Sequence, residues 1–248
     1  MLGYRGEAMF HNDNRETYIV IGCGHFGHRA VQALKSLSPS PRVVAVDNDR
    51  ERLRGVEEHA DQTHHGDGIH YLAELPESEA VSYWIVPALP LHLALEGVLY
   101  TLNRTGDTYT AEGLPLPQAF NPKGVLWQHR TPTGTLYCSL SDFTCPDDCP
   151  EPEENCYITG QPHPAPLYRI LEETPCAGYH PLVVRSRILA PGVGGYPFTD
   201  LLTMRSKLSS AGGNYLLSTA CTCHGVTDAI AIHVIRQKTR VEHGNMMK

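Results

Sequence analysis

No stretch of about twenty apolar residues occurs in this sequence, so no transmembrane helix is expected. Positive charge is scarce too. Twenty Lys and Arg stand against 27 Asp and Glu, a formal net charge of −7. A chain without a basic face is poorly suited to nucleic acid, whose phosphates dominate binding. The first twenty residues, MLGYRGEAMFHNDNRETYIV, lack a basic start followed by an apolar block, so no secretory signal is expected. Internal repeats and low-complexity tracts are missing as well. These absences leave a cytoplasmic globular protein as the expected class, with neither a nucleic-acid partner nor a membrane span. The 41% apolar and 19% charged fractions agree. At 248 residues the chain can bury a sizeable core, in one large domain or in a medium domain with a smaller companion.

What is present begins with a glycine pattern. TYIVIG (17–22) reads as a buried strand of β-branched residues. Gly22, Gly24 and Gly27 follow at the spacing G-x-G-x-x-G. HFGHRAVQALKSL then predicts a helix with Phe26, Ala30, Val31, Leu34 and Leu37 on one face, ended by Pro39 and Pro41. RVVAVD (42–47) is a second buried strand closing in an acid, twenty residues after Gly27. Each glycine has a task here. Gly22 permits the turn, Gly24 lets backbone approach a pyrophosphate, and Gly27 lets helix and strand pack closely. The phosphates would meet unpaired N–H groups at the helix N-terminus, and Asp47 would accept hydrogen bonds from ribose hydroxyls. A Rossmann-like fold that has lost its ligand, or one that takes S-adenosylmethionine, are the alternatives. Asp47 favours NAD over NADP because it repels a 2′-phosphate, although Arg50 could offset it. Further on, DRERLRGVEEHA reads as a solvated helix. A short third strand precedes Gly66 and Asp67, a fourth covers 81–86, and an amphipathic helix covers 91–102.

The motifs VIGCGHFG, AVD, the Gly66-Asp67 pair and IVPALP together resemble the NAD-binding domain of TrkA-N type, the regulatory module of bacterial potassium transport, over residues 17 to about 105. By that resemblance Asp47 holds the adenosine ribose and Asp67 lies near the adenine. The expected cofactor-binding set is Gly22, Gly24, His25, Phe26, Gly27, Asp47, Asn48, Asp67 and Pro87, with nicotinamide near the turn from Pro87 to Pro90. The rest of the chain resembles neither a ligand-sensing partner domain of a potassium regulator nor a channel.

Eight cysteines occur, four of them in CSLSDFTCPDDCPEPEENC (138–156). Clustered cysteines in a chain of cytoplasmic character point to metal or redox chemistry more than to disulfides. The segment has almost no apolar residues and needs something other than a core to hold it, which metal ligation supplies. Cys138, Cys145, Cys149 and Cys156 are the expected metal ligands, for an iron–sulfur cluster ahead of zinc. The alternative is a loop of unligated cysteines. A second group, STACTCHGVTD (218–228), makes Cys221, Cys223 and His224 candidates for chemistry, since an extended C-x-C puts both thiols on one face. A buried cysteine pair is the competing reading. All these groups are expected to face one site. Cys176 reads as a structural thiol or an extra ligand, and Cys23 as a small residue that fits the glycine turn. Gly192, Gly194 and Gly195, with Thr199 or Asp200, suggest a second anion-friendly turn, and Arg185 and Arg187 a contact for an acidic substrate. A tight turn with solvent-facing arginines is the plainer reading.

The expected architecture is α/β: an extension over 1–14, a Rossmann-like parallel-sheet domain over 15–110, and a smaller α+β cysteine-rich metal-binding domain over 111–248. The expected function is an NAD(H)-binding oxidoreductase with a small-molecule substrate or a redox partner protein. The alternatives are a non-enzymatic NAD or redox sensor with a structural zinc site, and an enzyme whose metal is purely structural. No Ser-x-x-x-Tyr-x-x-x-Lys signature is present. A homodimer is expected because most soluble assemblies are closed and symmetric.

Overall fold

Buried, β-branched strands build the centre of the molecule, a computed structural model that describes residues 16–104 and 108–235. The expected 1–14 extension and the polar segment after 235 lie outside these residues. Strand β1 (Thr17–Ile21) is buried along its whole length and lies between two parallel neighbours, β2 (Arg42–Asp47) and β4 (Tyr83–Pro87). β3 (Gln62–His65) extends the sheet beyond β2. A strand buried on both faces has no polar alternation, which is why TYIVI and RVVAVD contain so little of it.

Helix α1 (His25–Lys35) packs Ala30, Val31 and Leu34 against this sheet, with Val31 and Leu34 fully buried. Each of those two side chains contributes roughly 1.5–3 kcal/mol. Phe26, expected on that inward face, instead stands 62% exposed. Helix α2 (Arg50–Arg54) is much shorter than its charged sequence suggested and is capped by Asp49. Helices α3 (Gly68–Glu74) and α4 (Leu93–Arg104) cover the opposite face, with a 3₁₀ turn at Glu77–Ser82 leading into β4.

After α4 the chain begins a second sheet with β5 (Tyr109–Leu114), β6 (Trp127–Arg130) and β7 (Leu136–Ser139). Helix α5 (Leu167–Glu173) and strand β8 (His180–Arg185) follow. The chain then returns to the first sheet. The hairpin β9 (Arg187–Ala190) and β10 (Val193–Pro197) pairs antiparallel with β4 through Tyr196↔Ile85 and Pro197↔Trp84. Helix α6 (Phe198–Ala211) leads back to β11 (Gly213–Ala220) and the long β12 (His224–Val234) of the second sheet. The two strand orders are β3-β2-β1-β4-β10-β9 and β6-β7-β12-β11-β8, with β5 beside β12. The chain changes sheets between α4 and β5, and residues 187–197 return to the first sheet.

One core cluster joins the two sheets. It packs Ile19, Ile21 and Ile85 with Leu217, Ile230 and Ile232 around α4 and α6. The outer clusters lie under α1 and under α5. No helix among the described residues is long and apolar enough to cross a membrane.

Candidate functional site

The glycine turn has the geometry its spacing implies. Gly22 lies at φ +94°, and a Cβ there would come within 2.6 Å of the Ala88 carbonyl oxygen. A Cβ on Gly27 would lie 1.8 Å from the Gly22 carbonyl oxygen. At Gly24, by contrast, a Cβ would meet nothing within 4 Å. Gly24 is the N-cap of α1 and brings no capping side chain, so open space adjoins the helix N-terminus where a phosphate is favoured. Asp47 is 4% exposed; its Oδ2 accepts from the Cys23 N–H at 2.6 Å and its Oδ1 from the Asp49 N–H at 2.8 Å. Each carboxylate oxygen keeps a further lone pair for a ribose hydroxyl. Asn48 is exposed beside it, its carbonyl 3.1 Å from His65 Nε2. Asp67 caps α3, accepting from the His70 N–H at 2.8 Å. Pro87 closes β4 opposite Ile21, and the next N–H, from Ala88, bonds the Ile21 carbonyl at 2.8 Å. Cys23 is buried, which pushes its thiol up to about 12 and leaves it a small inert residue.

Beside this turn opens a cavity of about 820 Å³. Cys145, Cys149, Cys156, Cys221, Cys223, His163, His224 and Glu151 line it. The Cys149 carbonyl accepts from the Gly192 N–H at 2.9 Å. Only glycine fits at 192, because a Cβ would lie 1.7 Å from the Asp147 carbonyl oxygen. Cys145 Sγ is 3.4 Å from Ser141 Oγ. Cys156 sits in a turn closed by the Gly160 N–H on its carbonyl at 2.8 Å. The Thr159 side chain and N–H, and the N–H of Ile158, face the Cys156 sulfur and lower its pKa. Burial raises the Cys149 thiol. Cys223 Sγ lies 3.6 Å from His163 Nε2. Burial first, then Glu151 and the thiols of Cys145, Cys149 and Cys156, push Cys223 up to about 12. Burial and Glu151 hold Cys221 well above the usual thiol range.

One expectation changes here. Cys221 and Cys223 lie in the tight turn between β11 and β12, where the Cys221 N–H bonds the His224 carbonyl at 2.9 Å, and not in an extended strand. Cys138 borders the same cavity as the other three cysteines of its window, but most of its side chain faces the core. It alternates with Leu136 and Leu140 on the core face of β7, is 2% exposed, and donates to the Gly225 carbonyl at 3.7 Å. Burial alone raises it to about 12. All eight cysteines are free thiols; Cys176 packs at the margin of the same core. Among the described residues no three His, Cys, Asp or Glu side chains are gathered closely enough to hold a metal ion.

The second glycine turn is a β-hairpin: Gly194 and Gly195 are inside β10, and a Cβ on Gly195 would lie 2.8 Å from the Ile85 carbonyl oxygen. Its arginines have internal partners. Arg185 pairs with Glu153 at 2.7 Å and Arg187 with Asp200 at 3.0 Å.

The cavity and the glycine turn touch. Asp147 Oδ2 lies 3.1 Å from His25 Nε2 and 3.9 Å from Arg29 Nε, and Phe26 is part of the cavity wall. Glu151 holds the loop from the other side. Its backbone is left-handed at φ 47°, and its carboxylate accepts a short bond from the Thr222 N–H. Sequence reasoning missed Asp147, Glu151 and His163, which looked like ordinary acidic and proline-rich loop residues. It also missed a buried polar chain near the end of β4. There His92 Nδ1 is 2.8 Å from Asp228 Oδ2, and its Nε2 is 2.9 Å from Thr219 Oγ1.

No curated protein matches the sequence. The TrkA-N domain model matches residues 18–73, the segment carrying the glycine turn and Asp47. A TrkA-N domain suggests an NAD(H)-binding protein of regulatory or oxidoreductase-like character. A second family model, AF_1314_C, described as "Uncharacterized protein, C-terminal domain", matches residues 88–233, more than half of the 248 residues, and the chain belongs to that family.

Proposed function

We propose that this chain is an NAD-dependent oxidoreductase acting on a substrate held in the thiol-lined cavity. One observation carries the reading: the first turn of α1, where the pyrophosphate would lie, forms part of the cavity wall through Phe26. The cofactor, when bound, supplies hydride transfer. The chain's own residues do the rest. The N–H groups of the glycine turn hold the pyrophosphate, Asp47 orients the ribose, and the 87–90 turn borders the nicotinamide. His224, which is exposed on the cavity wall, would take up or give the accompanying substrate proton and exchange it with solvent. Asp142, Asp147 and Glu151 make the wall acidic, so a neutral or cationic substrate suits it better than an anion. Cys221 and Cys223 flank the proton carrier.

A second reading, a sensor of nucleotide or redox state, is favoured by the contact of Asp147 with His25 and Arg29. It links the cysteine loop to the nucleotide turn, so that occupancy of one bears on the other. The deciding experiment is titration of the anaerobically purified chain with NADH, NAD and NADP, followed by NADH oxidation with a dye acceptor. Binding of NADH with turnover supports the enzyme. Binding without turnover favours the sensor, and no binding sinks both.

A further inference from the structure

We infer that the substrate of this cavity is an organic cation: an ammonium group, protonated or quaternary, carried on an apolar body. This deepens the proposed function by naming the substrate class, and it rests on that reading for what becomes of the ligand after it binds.

The rim fits the apolar half of such a ligand. Ten large hydrophobic side chains stand exposed among the described residues, and five of them, Phe26, Trp127, Tyr157, Ile158 and Ile188, border this one cavity. Exposed apolar residues scattered singly need no explanation, whereas a group gathered around one concavity marks a binding site. They come from separate parts of the fold: Phe26 from α1, Trp127 from β6, Ile188 from β9, and Tyr157 and Ile158 from the 156–160 turn. One poorly covered strand therefore does not account for them. Tyr137 and Phe143 add aromatic surface to the wall. The volume of about 820 Å³ suits a small organic molecule.

The charge of the wall fits the other half. Asp142, Asp147 and Glu151 lie on it, and among the described residues no Lys or Arg does. Burial and Glu151 keep Cys221 and Cys223 as neutral thiols, which add polarizable surface and no charge. An apolar acid would meet repulsion from these carboxylates. A neutral apolar molecule would take water from them and give no partner in return. An ammonium group pairs with them, and it is also attracted by the negative faces of the aromatic rings. The carboxylates have different tasks. Asp147 is met from the α1 side by His25 at 3.1 Å and Arg29 at 3.9 Å. The His25 ring in turn lies edge-on to Phe26, with centroids 5.1 Å apart. Asp147 thus acts through His25 to place Phe26 on the rim, and Asp142 and Glu151 are left to meet the cation.

The test titrates the full chain by calorimetry with 2-phenylethylammonium, 2-phenylethanol, phenylacetate and tetramethylammonium, and separately with NADH. The phenylethylammonium ion is expected to bind at least about tenfold tighter than the alcohol or tetramethylammonium, with phenylacetate weakest. D142N/E151Q should weaken the phenylethylammonium ion about tenfold and leave the alcohol within about twofold, since the amide of E151Q still accepts the Thr222 N–H. W127A should weaken both, by about fivefold or more. NADH affinity within about twofold of wild type would show that each variant is folded. Equal binding of ammonium and alcohol, a preference for phenylacetate, or no binding of the phenylethylammonium ion overturns the inference. So does charge selection that survives in D142N/E151Q, or ammonium binding that is unchanged in W127A. Because NADH titration reads the glycine turn independently, those failures leave the nucleotide half of the proposed function standing, whereas ammonium binding without NADH binding supports the inference and removes that half.

Discussion

Gly24 and Gly27 are three residues apart and answer to different constraints. Around Gly24 there is open space, whereas at Gly27 the Gly22 carbonyl occupies the position of any Cβ. The two substitutions should therefore separate binding from folding. G27A should lower stability by about 1–3 kcal/mol or more through overpacking, visible as a lower urea midpoint. G24E should cost less than about 1 kcal/mol of stability. Its carboxylate would enter the phosphate position, however, and NADH affinity should fall at least ~tenfold, about 1.4 kcal/mol. Equal stability losses in both variants would refute the division. Asp47 combines the two roles, since it accepts the Cys23 and Asp49 N–H groups. In D47N an amide NH₂ must face one of those donors, so a loss of roughly 1–3 kcal/mol is expected together with weaker NADH binding. At this scale the sequence was readable wherever one residue type does one thing. It left two readings open for Cys138, because a thiol serves equally as ligand and as small core residue, and the side chain is 2% exposed while also bordering the cavity.

At the scale of elements, legibility followed burial and local turn chemistry. β1, α1 and β2 were readable from apolar runs and from glycine and proline punctuation. The β9–β10 hairpin was read as a glycine loop. Its partner β4 is about a hundred residues away in sequence, and no local pattern encodes so distant a pairing. The same holds for His92 at the start of α4. Its Nδ1 lies 2.8 Å from one Asp228 oxygen and its Nε2 2.9 Å from the Thr219 hydroxyl, while Thr135 Oγ1 donates to the second Asp228 oxygen at 2.7 Å. This chain ties α4 to β11, β12 and the segment before β7. Removing the imidazole leaves the Asp228 carboxylate buried without its main partner. H92A should therefore cost about 3 kcal/mol, and the H92A/D228N cycle should show a coupling of about 1–3 kcal/mol in denaturant unfolding. Additive effects would mean that the two groups do not support each other.

For the whole molecule, the consequence of the chain's route is that neither sheet is complete without the other half of the sequence. Residues 16–104 supply four parallel strands, but the β4 edge of that sheet is covered by β10, from more than about a hundred residues later. The helical layer above it is shared, since Phe198, Leu201, Met204 and Leu208 of α6 enter the same core as Leu93 and Val98 of α4. A fragment ending at 104 would expose both the hydrogen-bonding edge of β4 and the apolar face of α4. An unpaired central strand invites edge-to-edge association, and a core cluster deprived of one side loses several kcal/mol for each large residue uncovered. The fragment should therefore aggregate or lack a cooperative transition, even though it contains the entire TrkA-N match. Gel filtration and thermal melts followed by circular dichroism would check this. The full chain, by contrast, should unfold in one transition that NADH moves upward, by roughly 2.7 kcal/mol at a hundredfold excess over Kd. A fragment that is monomeric, melts cooperatively and binds NADH as tightly as the full chain would show that the nucleotide half stands alone, and that the shared sheet is a docking contact and not a condition of folding.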